Sequence, residues 1–427
     1  MNVKNTRTIG KIVTLSIIAS TMIHATNGDN LIAVGTKARG MGGTGIALSH
    51  GAESALSNPA LISSVEGTEI SFGGTLFMPD ISTSLSGFVP PQEHRSDANR
   101  NIIPEVSIAH KIDDNWYIGV GMFGTAGMGT DYRNATLNPA MGQLGNLNMV
   151  TNLQLLQFAI PVSYKAEGFS IAVAPILQYG NLDMNYNMPN PMTGSIDTIG
   201  AGVAQDFGLG WSLGASYDFS ANGVEGLTLG AVYKSAIEME YDQQLSTATG
   251  PFAAMGIFPA PMSDILEQPA EYGAGLAYVM DQHTFAFDYK KIKWSDAEGY
   301  KDFGWEDSDV YAFGYEYAQD NWALRAGYNY ASSAVVGLNG AGTPAYGATS
   351  AINFFNLLGF PATAEKHYTF GGTYEFTNAF SLDLAYVYSP TNTEEFDIGA
   401  FAGTFGIDTI ATDHQEDSVS FQLTFKF

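Results

Sequence analysis

The chain ends in Ser418-Val419-Ser420-Phe421-Gln422-Leu423-Thr424-Phe425-Lys426-Phe427, where every second residue from Val419 is apolar and Ser, Gln, Thr and Lys stand between. A period of two puts alternate side chains on opposite faces of a β-strand; a helix of the same composition would mix them. Phe380, Leu382, Leu384, Tyr386 and Tyr388 alternate in the same way with Ser381, Asp383 and Ala385. So do Trp322, Leu324, Ala326, Tyr328 and Tyr330 with Ala323, Arg325, Gly327 and Asn329. Each segment has one apolar face, repeatedly closed by Tyr or Trp.

Extended along the chain, alternation and turn residues predict 14 strands, near 67–78, 101–112, 114–124, 148–165, 168–183, 206–219, 224–240, 268–280, 282–294, 308–318, 321–331, 364–376, 380–390 and 417–427. Most reach the ~9 to 11 residues that a tilted strand needs to cross a bilayer. Tight links such as Asp113, Asp281 and Thr377-Asn378-Ala379 alternate strictly with long ones, near 79–100, 125–147, 184–205, 241–267, 295–307, 332–363 and 391–416. An even strand number with every long loop at one end is the pattern of an outer-membrane barrel. Because lipid offers no hydrogen bonds, such a sheet must close on itself. A soluble sandwich or propeller also has period-two strands, but its solvent face would carry more Lys and Glu than the Ser, Thr, Gly, Ala and Asn found here. The expected fold is therefore all-β, a 14-stranded antiparallel transmembrane barrel.

Composition agrees. The chain has 427 residues, mean hydropathy near zero, 14% charged and 12% aromatic residues, and no Cys. Disulfides and cysteine chemistry are thereby excluded. A net charge of −25 without any basic cluster excludes a nucleic-acid partner.

Lys4, Arg7 and Lys11 precede an apolar run from Ile12 to Ile23, and Ala25 offers a small residue for cleavage. Residues 1–25 are read as a secretory signal. Residues 26–66 do not alternate and are rich in Gly. Too short for a core of their own, they are expected to plug the lumen of the barrel formed by 67–427.

Within this stretch, Gly40-Met41-Gly42-Gly43-Thr44-Gly45-Ile46-Ala47 and Ser57-Asn58-Pro59-Ala60-Leu61 resemble the N-terminal hatch of the outer-membrane long-chain fatty-acid transporters (FadL type), a group that includes aromatic-hydrocarbon transporters. Phe123-Gly124-Thr125-Ala126-Gly127-Met128-Gly129-Thr130-Asp131-Tyr132 is similar to the segment after that family's kinked third strand, and Asp309 to Tyr330 to its late strand pair. The resemblance implies a monomeric, Gram-negative outer-membrane barrel with no cofactor and no catalytic residue. It would take long-chain fatty acids or other hydrophobic small molecules, aromatic or alkane hydrocarbons among them, past the lipopolysaccharide layer and release them sideways into membrane lipid. Ala331-Ser332-Ser333-Ala334-Val335 lacks the acidic, Pro-containing turn common in the family, so ligand preference does not transfer.

The residues suggest where ligand would be held. Loop 241–267 carries Phe252, Ile257 and Phe258, and loop 332–363 carries Phe354, Phe355 and Phe360. Apolar loops of this size are expected to be exposed and to catch ligand, or to pack on one another as a lid. Parity places Lys290 and Arg325 on the lumen face, where either would hold a carboxylate head group or pair with Asp288, Glu316 or Asp383. Gly124, Gly127 and Gly129 permit a kink that interrupts strand pairing and opens the wall.

Other motifs carry nothing. Gly119-Val120-Gly121-Met122-Phe123-Gly124 satisfies G-x-G-x-x-G inside an alternating strand with no helix after it. Neither G-x-S-x-G, H-E-x-x-H nor Walker spacing occurs, which argues against an enzyme. A membrane-embedded lipid hydrolase or a structural, adhesive barrel is the alternative.

Overall fold

The computed structural model describes residues 27–86, 92–134, 148–189, 193–254, 256, 258, 262–343, 345–403 and 406–427. The expected signal segment and Ile257 lie outside these. Fourteen strands form the wall: β1 (Thr68–Leu85), β2 (Asn101–Lys111), β3 (Trp116–Met128), β4 (Val150–Ala159, resuming after Pro161 as Val162–Ala166), β5 (Phe169–Pro189), β6 (Ala204–Asp218), β7 (Leu227–Lys234), β8 (Glu271–Met280), β9 (His283–Ile292), β10 (Ser308–Gln319), β11 (Trp322–Ala331), β12 (Lys366–Thr377), β13 (Phe380–Asp397) and β14 (Thr409–Lys426). Each is antiparallel to its neighbour, and β14 pairs with β1 from Lys426↔Glu69 to Ile410↔Leu85, which closes the sheet. Two short ribbons, Gln92–Arg95 and Ile196–Ile199, extend β1 and β5 above the wall.

Parity holds as the terminal segment implies. Val419 and Phe421 are about half exposed, whereas Ser418, Ser420, Gln422 and Thr424 are buried. The outer surface is thus apolar. Its rim is aromatic, with Tyr289 on Tyr311, Tyr328 on Tyr368 and Trp211 on Tyr233 in cross-strand ring contact.

Polar inward side chains are buried because the N-terminal segment fills the lumen. This plug is irregular: α1 (Thr36–Gly40), a single turn α2 (Ser54–Ser57) and a 3-10 turn over Pro59–Ser64. With so few internal backbone bonds, it must find partners on the wall. Wall carboxylates supply them: Glu105 accepts from Gly35 N (3.1 Å), Asp288 from Gly45 N and Ile46 N (2.7 and 2.9 Å), and Glu69 from Ala52 N (2.8 Å).

Several elements run differently from expectation. β1, β5, β13 and β14 continue well into the segments read as long loops, because above the membrane both faces meet polar surroundings and alternation fades. Conversely, the segment read as a strand to 240 leaves the wall after Lys234. Two helices, α3 (Leu245–Ala254) and α4 (Tyr346–Gly359), occupy loops 241–267 and 332–363.

Candidate functional site: a lidded, plugged lumen with an interrupted wall

The loop aromatics do not form an exposed surface. Phe252, Phe258, Phe354, Phe355 and Phe360 are all buried, around a shared centre at Phe355. Phe252 lies 5.0 Å from it by ring centroid, Phe258 5.8 Å and Phe354 6.2 Å, while Phe360 reaches the group through Phe303 at 6.4 Å. Apolar side chains on α3, α4 and the 295–307 turn are better buried in one another than in water, so the expected catch surface is a closed lid. The lid is continued by Trp294, Tyr300 and Trp305, in edge-on and tilted ring contact at 4.8–5.2 Å. Sequence reasoning missed this trio; Trp294 and Trp305, two of only five Trp in the chain, flanking one long loop were the available signal.

Under the lid lies the start of the plug. Gly28 sits flat on Trp294, where a Cβ would stand 2.5 Å from Cζ2. Asp29 is wholly buried, accepting from Tyr300 Oη and from Gln268 Nε2 (3.2 Å). Burial pushes its carboxyl up to about 6, against the two hydrogen bonds that pull it down.

The hatch residues named from the sequence lie against the wall. Gly40 faces Gly371, and a Cβ there would stand 3.1 Å from its Cα. Gly42, at φ +70°, donates its N–H to Thr369 Oγ1 (2.8 Å) and accepts from Asn329 Nδ2 (2.9 Å). Gly43 follows at φ +91°, so the chain turns here as only Gly does without strain. Asn58 caps the Pro59-Ala60 turn through Ala60 N (3.1 Å), and its amide donates to Ile46 O (2.6 Å) and to Ala215 O on β6 (3.1 Å). The Asn-Pro-Ala motif is a cap that also clamps the plug to the wall.

On the opposite side the wall is interrupted. The β2–β3 ladder ends at Glu105↔Phe123, although β2 begins four residues earlier at Asn101 and β3 runs on to Met128. Pro104, which has no N–H, stands at that end. The β3–β4 register also slips between Gly124 and Ala126. Past the break β3 pairs inward with the plug: Leu31 N donates to Thr125 O (2.9 Å), Gly127 N to Asp29 O (3.0 Å), and Asn30 bridges Ala126. Gly129, at φ +150°, turns the chain away beside Thr151. Above the break the wall is rejoined where Asp97 N donates to Asp131 O (2.9 Å).

Between plug and wall is a cavity of about 70 Å³, lined by Asn30, Leu31, Thr125, Gln157, Val232, Lys234, Glu271, Asp288 and Lys290 among others. This is room for about two waters, not for an acyl chain. The two predicted cations differ here. Arg325 is committed to Glu316 (2.6 Å), Thr373 (2.7 Å) and Asp383 (3.6 Å). Lys290 lines the cavity and forms no ion pair among the described residues, Asp288 being taken up by the plug and Glu271 by Lys234 (3.3 Å). Lys234 was not singled out from sequence; at the end of an ordinary alternating strand it carries no mark.

The barrel thus combines a plugged lumen, a lid of aromatic loops and a break beside its third strand. The profile of outer membrane protein transport proteins (OMPP1/FadL/TodX) matches residues 17–403. The chain belongs to this family. It is 24% identical over 366 residues to a 47 kDa outer membrane protein of Pasteurella multocida, covering 80% of this chain and 82% of that protein. It is 24% identical over 328 residues to the long-chain fatty acid transport protein of Escherichia coli O6:H1, covering 65% and 71%. In fold it is similar to the Pseudomonas putida toluene transporter TodX (TM-score 0.66, 18% identity, 93% of this chain and 99% of that one) and to a Pseudomonas aeruginosa FadL homologue (TM-score 0.66, 15%, 96% and 100%). The protein is an outer-membrane β-barrel of a family of transporters for hydrophobic compounds.

Proposed function

We propose that this barrel carries hydrophobic molecules, long-chain fatty acids foremost, from the cell exterior into the lumen under the lid and sideways into the membrane through the break between β2 and β3. The observation that carries the reading is the wall itself. Lipid-facing strands leave no backbone group unpaired without cause, yet beside β3 the wall breaks where the start of the plug, residues 29–31, supplies the missing partner. Withdrawal of those residues would join the cavity to the lipid phase. Burying an acyl chain contributes ~0.8 kcal/mol per CH₂, so capture needs few polar contacts. Lys290, which lines the cavity and forms no ion pair among the described residues, is the group suited to a carboxylate.

The test is uptake of labelled oleate, hexadecane and toluene by a strain deleted for this gene, with and without the gene restored. Oleate uptake that returns with the gene supports the reading. Return of toluene or hexadecane uptake alone would move the substrate class to hydrocarbons, and return of none would remove the transport proposal.

A further inference from the structure

The wall has a second interruption, between β6 and β7. β6 stays paired with β5 up to Ala204↔Leu182, but its ladder with β7 stops at Ser212↔Lys234. One more turn of bonding follows: Ser235 N donates to Trp211 O (2.9 Å), and Ser235 Oγ accepts from Trp211 N (3.0 Å). The chain then swings into the lumen, where Ile237, Met239 and Tyr241 are buried. Gly208 and Gly210 make the space for it. Cβ atoms there would stand 2.5–2.7 Å from Ile237, Met239 and the Glu238 carbonyl.

Outside this seam, Leu209 is 79% and Phe207 62% exposed, among the highest values of the outward-facing apolar side chains. Since the N–H and C=O of Trp211 both point toward β7, period two points those of Leu209 and Phe207 the same way, where β7 is gone. The open edge thus begins at the aromatic rim marked by Trp211 and Tyr233, and a strand edge on the lipid side of that rim is tolerated only where it lines a cavity or is covered by protein. Behind the edge, Ser212 Oγ and Tyr241 Oη are buried without a hydrogen-bond partner among the described residues. The cavity described above touches the foot of this seam at Val232 and Lys234, and the first break at Leu31 and Thr125. One small chamber therefore lies between two weak points of the wall, below a lid that is packed shut.

Resting on the transport reading above, we propose that the β6–β7 seam is the inlet: hydrophobic molecules enter sideways here, from the outer rim of the membrane, and leave at the β2–β3 break without crossing the aromatic lid. Asp206, Glu238 and Glu240 stand at the upper end of the seam, so the molecule that passes is uncharged, a hydrocarbon or a fatty acid in its protonated form.

The chain has no Cys, so a pair of introduced thiols reports alone. Gly210→Cys with Ile237→Cys would pin the inturned segment to β6 when oxidised; Ile103→Cys with Gly124→Cys would pin the first break. The readout is uptake of labelled toluene and oleic acid by complemented cells, oxidised and then reduced, with heat-modifiable gel mobility verifying that each barrel assembles. The expected result is at least a tenfold loss of uptake on oxidising the Gly210/Ile237 pair, restored by dithiothreitol. Uptake that persists in that pair while oxidation of the Ile103/Gly124 pair abolishes it overturns the inlet and leaves the transport reading standing. Persistence in both overturns both. Should the first pair fail to assemble, Gly208→Cys with Met239→Cys pins the same segment and is read in the same way.

Discussion

Gly124 and Ile103 face each other across the β2–β3 break, and a Cβ on Gly124 would stand 3.7 Å from the Cβ of Ile103 and 2.5 Å from its Cγ2. Ile103 is wholly buried and points inward at the height where its strand has lost its neighbour. The contact stands in the proposed exit. Gly124→Val should force Ile103 aside, costing about 1–3 kcal/mol of stability as overpacking does. It should cut oleate uptake severalfold at an unchanged amount of barrel in the outer membrane; full uptake would place the exit elsewhere.

The plug depends on a buried ion pair. Arg39 and Glu105 are each 2% exposed, with Nη1 donating to Oε2 (2.9 Å) and to Thr75 (2.8 Å). Arg39→Ala leaves a buried carboxylate alone and should cost about 3–5 kcal/mol. Limited proteolysis of the detergent-solubilised barrel should then cut within residues 27–65. Arg39→Met combined with Glu105→Leu should restore most of the protection, because the two charges vanish together.

Close packing of Gly42 gives a steric counterpart. At φ +70° and with a Cβ position only 2.4 Å from the Phe313 carbonyl, Gly42→Ala meets backbone that cannot move aside. The variant should loosen the plug by about 2 kcal/mol or more. Sensitivity of cells to a large, hydrophobic antibiotic is the readout, and unchanged sensitivity would argue that Gly42 is not what seats the plug.

Asp29 predicts a dependence on pH. Its carboxyl titrates at about 6 in the folded chain against an ordinary 3.8, so between these values the folded state binds the extra proton. Stability of the plug's first residues should then be highest below pH 4 and fall by roughly 3 kcal/mol as pH rises through 6, at 1.36 kcal/mol per unit. Hydrogen exchange at residues 27–31, compared with Asp29→Asn at each pH, measures it. The Asn variant should show no such fall; equal behaviour of the two chains would remove Asp29 as the cause.

Head-group recognition separates the two predicted cations. Lys290→Gln should weaken oleate binding about tenfold, equivalent to about 1.4 kcal/mol, and leave toluene binding unchanged. Arg325→Gln should lower stability by breaking its bonds to Glu316 and Asp383 without a specific effect on oleate. Equal oleate affinity in the Lys290 variant would leave the carboxylate without a partner in the cavity.

How much of this was legible in the sequence follows from what sets each feature. The wall strands were readable because lipid outside and polar plug inside impose opposite demands on alternate residues, as at Val419 to Phe427. At Gly124 to Gly129, β-breaking Gly interrupts an otherwise alternating run, and the β3–β4 register shifts between Gly124 and Ala126. The inward turn at Ser235 was not. Ile237, Met239 and Tyr241 keep the alternation of a wall strand, and only the distant Gly208 and Gly210 make room for them inside. Likewise the loop phenylalanines announced burial without saying against what, because a lid and a catch surface need the same residues. The pairing of Lys234 with Glu271 depends on a register that no local pattern reports.

Lateral release requires the break between β2 and β3 to be a passage. The most direct measurement is oleate uptake by cells carrying Ile103→Cys with Gly124→Cys, oxidised and then reduced. A reversible block, with uptake lost on oxidation and regained on reduction, is the predicted result. Undiminished uptake by the fully cross-linked barrel would contradict lateral release.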